Sequence, residues 1–159
     1  MSDPLAIYLH DHLSGARIAT ELLRSLRDTQ KDKPLEKFVV RLLAEVEADR
    51  ELLQVMSEKL GAGSNSFKEM TGWLAEKATH IKLGLGAEGD LGTLEALEFL
   101  ALGIFGKVSL WKTLEVAAAA DGRLSGYDFQ QLAASAQTQH DKVEQQGLEL
   151  AKTALRRTR

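Results

Sequence analysis

Cysteine is absent from this 159-residue chain, which removes disulfide staples, thiolate zinc sites and cysteine nucleophiles together. Only two prolines occur, Pro4 and Pro34. So few breakers, with so much Ala, Leu, Glu, Lys and Arg, favour helix and exclude an all-β fold. Long apolar runs are missing as well: the most apolar stretch, Phe99 to Gly106, lies between Glu98 and Lys107, far short of the ~20 residues a helix needs to span a bilayer. Neither sign of charge dominates. A net charge of −3 argues against general nucleic-acid binding, and the basic end with Lys152, Arg156, Arg157 and Arg159 serves to offset a helix dipole. Met1 to Leu13 carries Asp3, His10 and Asp11 instead of the basic start and apolar run of a signal peptide. With the missing cysteines, this makes the cytoplasm the expected location.

What is present reads as one helical domain spanning residues 1–159, since 44% hydrophobic and 27% charged residues are near globular averages and the length suits a single core. Leu5, Leu9, His12, Leu13, Ala16, Thr20, Leu23 and Leu26 recur at helical spacing, with His10, Ser14, Arg17, Glu21 and Arg24 opposite, predicting a helix over about 3–29 that Asp3 caps and Pro4 begins. After a turn at Asp32 to Pro34, a second stripe from Leu35 through Val39, Leu42, Val46, Leu53, Met56 and Leu60 predicts an antiparallel helix over about 34–60, ended by Gly61. Phe67, Met70, Leu74, Ala78 and Ile81 predict a shorter helix over about 66–83, followed by a glycine-rich loop from Gly84 to Gly92.

The third long helix, about 93–120, has a seam of Leu97, Ala101, Ile104, Val108 and Trp111. Phe99, Leu102, Gly103, Leu110 and Leu114 lie off that seam, so a second side needs cover, from the connecting helix or from a partner; a homodimer or another protein through this helix is the expected contact. Asp121 and Gly122 end it, Ser125 with Asp128 resembles a capping box, and a last helix over about 126–156 carries Phe129, Ala133, Ala136, His140, Val143, Gly147, Leu150 and Ala154. Two antiparallel hairpins joined by a ~30-residue connection make the layout of an all-α, ferritin-like four-helix bundle with an extra helix in its crossover. Leu9, Leu13 and Gly15 echo Leu100, Ile104 and Gly106, and Leu42 and Leu60 echo Leu132 and Leu150, a hint of duplication.

Two short motifs fail on their physics. Gly84-Leu85-Gly86-Ala87-Glu88-Gly89 spells the dinucleotide fingerprint, but no strand precedes it and Glu88 and Asp90 would repel a pyrophosphate. Asp121-Gly122-Arg123-Leu124-Ser125 faintly resembles a calcium loop, yet position twelve counted from Asp121 is Leu132 where a Glu is required.

Ferritin-like metal sites take a Glu from each of two helices and Glu-x-x-His from each of the others. Here Glu47 stands three residues before Arg50, which cannot ligate a cation, and Gln137 stands three before His140. The third helix offers Ile104 and Val108 at mid-span, and Glu21 falls on the polar side of the first. No cofactor is expected. Polar residues remain at or beside predicted seams: His12, Glu47, Asp49 and His140 are the candidates for any metal or catalytic role. Counting back from the turn puts His12 near Asp49 and Arg50, so a buried His12–Asp49 hydrogen bond is the preferred structural role. His140, flanked by Ala133, Ala136 and Gly147, is expected as a packed core histidine, with Trp111 a candidate neighbour. Trp73 lies off the stripe of the connecting helix and packs on the bundle or anchors a partner.

Leu5-Ala6-Ile7-Tyr8-Leu9-His10-Asp11-His12-Leu13, Ala44-Glu45-Val46-Glu47-Ala48-Asp49-Arg50 and Gly72-Trp73-Leu74-Ala75-Glu76-Lys77 resemble a group of uncharacterised bacterial helical proteins related to the ferritin-like class. The resemblance implies a bundle with a degenerate metal site and transfers no activity. The leading expectation is a non-enzymatic bundle acting through binding or assembly. The alternatives are a divergent di-metal carboxylate-like enzyme using the four candidates, and a small-molecule site in the core near His140 and Trp111.

Overall fold

A carboxylate followed by a proline starts the first helix in the computed structural model, which describes residues 3–61 and 89–157. The predicted crossover helix at 66–83, the glycine motif up to Glu88 and Trp73 lie outside the described residues. The described residues belong to two compact units, one within residues 1–80 and one within 81–159. Among them there are helices and no strand, and no helix is long and apolar enough to cross a membrane.

In the first unit, α1 spans Pro4–Thr29 and α2 spans Glu36–Lys59. Asp3 Oδ1 accepts from the Leu5 amide at 3.0 Å, satisfying one of the free donors at a helix start. The reversal is tight because Asp32 adopts a left-handed φ of 61°, tolerated by Asp, and its amide donates to Glu36 Oε2 at 3.0 Å. Gly61, at φ 68°, closes α2 as expected. The two helices pack on each other through Leu9, Leu13, Leu23 and Leu26 on α1 and Val39, Leu42, Val46, Leu53 and Met56 on α2, all buried. Ser14, predicted on the polar side, is buried too. Its hydroxyl donates to the His10 carbonyl at 2.9 Å, as Thr20 does to Ala16 at 2.8 Å, so neither polar group loses a hydrogen bond on burial.

The second unit pairs α3, Gly89–Ala118, with α4, Phe129–Ala154. The helix α3 begins four residues before the predicted start at 93. Gly89 supplies a φ of 75°, Asp90 places a negative charge in the first turn, and the Thr93 hydroxyl donates to the Gly89 carbonyl at 3.0 Å. Gly92 is buried inside the helix, so packing outweighs the poor helix propensity that made it read as loop. At the other end a 3-10 turn, Gly122–Leu124, buries Leu124 and packs on α3. Gly126 then takes a φ of 89°, which delays α4 to Phe129. Its cap is Asp128, whose Oδ1 accepts from the Gln131 amide at 3.0 Å, in place of the predicted start at 126 with Ser125 in the cap.

The α3–α4 seam is antiparallel along its length. Trp111 stacks on Phe129 with centroids 6.3 Å apart, Gln130 donates to Glu115 at 2.8 Å, and the Thr153 hydroxyl donates to Asp90 at 3.3 Å. Gly147 brings the helices close near the far end: a Cβ added there would stand 3.8 Å from Leu94 Cδ1 and 3.9 Å from Leu97 Cβ. Those are ordinary contact distances, with room for one methyl and no more. Gly147→Ala is therefore expected to stabilise the protein by about 0.5–1 kcal/mol through helix propensity, and Gly147→Leu to destabilise it by about 1–3 kcal/mol through overpacking. Urea unfolding of both variants checks the opposite signs.

Candidate functional site

Three of the polar candidates, His12, Glu47 and Asp49, belong to the first unit and His140 to the second. His12 is half-buried on α1, its ring edge-on to Tyr8 with centroids 4.7 Å apart. Burial lowers its pKa, and the neighbouring Asp11 carboxylate opposes that shift in part. Glu47 accepts from Arg24 at 2.9 Å, and the same guanidinium binds Glu21 at 3.0 Å. Asp49 is half-buried on α2 and engaged by a neighbour of its own.

The register of α1 on α2 separates His12 from Asp49. Arg24 is level with Glu47. Stepping from this pair toward the start of α1, antiparallel helices bring His12 level with about residue 59, roughly 15 Å along the axis from Asp49. The preferred His12–Asp49 hydrogen bond is thus corrected: His12 contacts Tyr8, one turn away on its own helix.

His140 stands at the edge of its predicted seam, with its side chain 18% exposed. Its Nδ1 is 3.1 Å from Asp141 Oδ1, and Gln137 donates to the same carboxylate oxygen at 2.8 Å. The hydrogen bond with His140, then that from Gln137, holds the exposed Asp141 carboxyl below its ordinary pKa. The ring lies 5.8 Å from Phe105. Trp111, the candidate neighbour, is about two turns further along α3 against Phe129, and its buried indole N–H has no hydrogen-bond partner among the described residues.

The inward place on α4 goes to Gln139, 6% exposed, which accepts from Lys107 Nζ across the hairpin. Sequence reasoning missed this pair although the spacing carried it. Lys107 lies seven residues from Leu100 and from Leu114, and Gln139 stands between Ala136 and Val143 at helical intervals. Among the described residues, no three His, Asp or Glu side chains gather to hold a metal ion. A hollow of about 500 Å³ opens beside Tyr127 and Phe129, but of its two carboxylates Glu115 is bound by Gln130 and Asp128 caps α4.

The outer face of α3 carries several large exposed apolar side chains. Of the off-seam residues predicted to need cover, Leu110 and Leu114 are buried and Phe99 half-buried, while Leu102 stays 70% exposed. Phe105 is 53%, Val116 77% and Leu91 40% exposed. At 3.6 residues per turn these four project within a sector of roughly 60°, so they form one stripe about 37 Å long. Isolated exposed apolar residues are ordinary on a folded surface; here four are aligned on one helix face, interrupted by Glu95 and Glu98 and by Ser109 and Lys112.

No protein-family model, no curated protein and no solved structure matches the chain.

The lowered pKa of His12 sets a pH dependence. The unfolded chain takes up this proton near the ordinary value of about 6.5 and the folded protein only at lower pH. Protonation therefore favours unfolding, and the stability His12 contributes above that value is lost as pH falls through the folded pKa. NMR titration is expected to place the His12 ring midpoint below that of unfolded chain. His12→Gln is expected to flatten the stability loss of urea-unfolding curves between neutral pH and pH of about 5.

Proposed function

We propose that this protein is a non-enzymatic helical bundle of the ferritin-like class that works in the cytoplasm by binding or assembly, through the outward face of α3. The observation that carries this reading is the exposed stripe of Leu91, Leu102, Phe105 and Val116. Full burial of an aliphatic or aromatic side chain gains about 1.5–3 kcal/mol, so a protein surface laid along the stripe has a substantial driving force. The net charge of −3 favours a protein partner over a nucleic acid.

The metal-enzyme alternative has less to support it. Glu47, the carboxylate in the motif-like position of α2, is engaged by Arg24. Among the described residues no three His, Asp or Glu side chains form a group that could hold a metal ion. The paired antiparallel hairpins α1–α2 and α3–α4 support the ferritin-like reading by their topology alone.

Sedimentation velocity over a wide concentration range tests the assembly reading. The wild-type chain is expected to show reversible self-association. Leu102→Lys combined with Phe105→Lys is expected to leave only monomer, while changing unfolding free energy by no more than about 0.5 kcal/mol, as is usual for exposed positions. A chain that is monomeric at every concentration would remove the support for assembly through α3.

A further inference from the structure

The order of residues along the outer stripe carries more than its apolarity. Between Leu91 and Val116, the outward positions at alternating steps of four and three are Leu91, Glu95, Glu98, Leu102, Phe105, Ser109, Lys112 and Val116. This is the spacing of a coiled-coil seam on the exposed side of α3, with Phe105 at its edge beside His140 of α4. When the stripe is laid antiparallel on a second copy of itself, with the two-fold axis between Gly103 and Ile104, apolar positions meet apolar ones and the acid Glu95 meets a base. Leu91 faces Val116, Leu102 faces Phe105, and Glu98 faces Ser109. Glu95 faces Lys112, so an acid meets a base twice across the axis.

Parallel pairing gives the reverse result. Each residue then faces its own copy, which sets Glu95 on Glu95, Glu98 on Glu98 and Lys112 on Lys112. Like charges opposed in this way are destabilising. The two charged positions that decide the matter are also available: Glu95 is half-exposed and Lys112 exposed, and neither forms an ion pair among the described residues.

We infer that the partner of the α3 face is a second copy of this chain, bound antiparallel about a two-fold axis near Gly103, with Glu95 of each copy paired to Lys112 of the other. A self-complementary patch of this kind closes a dimer and leaves no free end for further growth. The inference rests on the assembly reading above and adds the occupant and its register.

Two measurements on the full chain test it. Sedimentation equilibrium of Glu95→Lys and of Lys112→Glu, each of which opposes like charges, is expected to raise the dimer dissociation constant roughly tenfold. The double variant, with the charges exchanged, is expected to return it to within about threefold of wild type, which also shows that the singles did not fail by misfolding. The second measurement uses the absence of native cysteine. Leu91→Cys and Val116→Cys chains, mixed and treated with a short bis-maleimide, are expected to cross-link to each other, and neither chain to itself.

A dimer that survives both single reversals, or in which Leu91→Cys cross-links to itself, overturns the antiparallel register and leaves assembly through α3 standing. A wild-type chain that sediments only as monomer overturns both.

Discussion

The tight seam between α3 and α4 is the constraint from which the second unit follows. Gly147 against Leu94 and Leu97 at one end, and Trp111 against Phe129 at the other, hold two helices of more than seven turns in one register. Once that register is set, the other contacts have no freedom. Lys107 reaches Gln139, Phe105 lies beside His140, and Glu115 meets Gln130. The same register turns Leu91, Leu102, Phe105 and Val116 to the outside. The exposed stripe is therefore a consequence of how α3 commits its other side.

That relation explains which parts of the fold were legible in the sequence. Helix existence was, because the apolar periods of α1, α2 and α4 are strong and Asp3, Pro4 and Gly61 act locally as caps and stops. Boundaries that depend on tertiary packing were not. Gly89 and Gly92 have the composition of a loop, yet Gly89 opens α3 through a positive φ and Gly92 is buried within it. Gly126 shifts the start of α4 by three residues through a backbone conformation that its letter permits but does not demand.

The candidate site was legible to a smaller degree, for a reason of geometry. Stripe analysis places a residue on a helix face within about one position, and neighbouring positions differ by roughly 100° around the axis. His140 and Gln139 are such neighbours. The stripe selected the histidine, while the fold buries the glutamine and pairs it with Lys107. The interhelical level was harder still, since it is fixed by contacts such as the ion pair of Arg24 with Glu47 that no turn length specifies. An error in that level was enough to pair His12 with the wrong residue.

That ion pair also bears on why α1–α2 and the outer face of α3 belong to different roles. On α1 and α2 the charges at the edge of the seam are engaged inside the hairpin: Arg24 holds both Glu21 and Glu47. Exposed pairs of this sort add little stability, about 0–1 kcal/mol, but they fix which residues stand opposite one another. On α3 the charges Glu95 and Lys112 stand within the outer stripe itself, half-exposed and exposed, and neither forms an ion pair among the described residues. A sequence selected only to keep that face soluble would place charges on it without regard to sign or spacing. An acid and a base equidistant from the centre of the stripe, with apolar residues matched in the same way, is the pattern of a seam built for a helix running in the opposite direction.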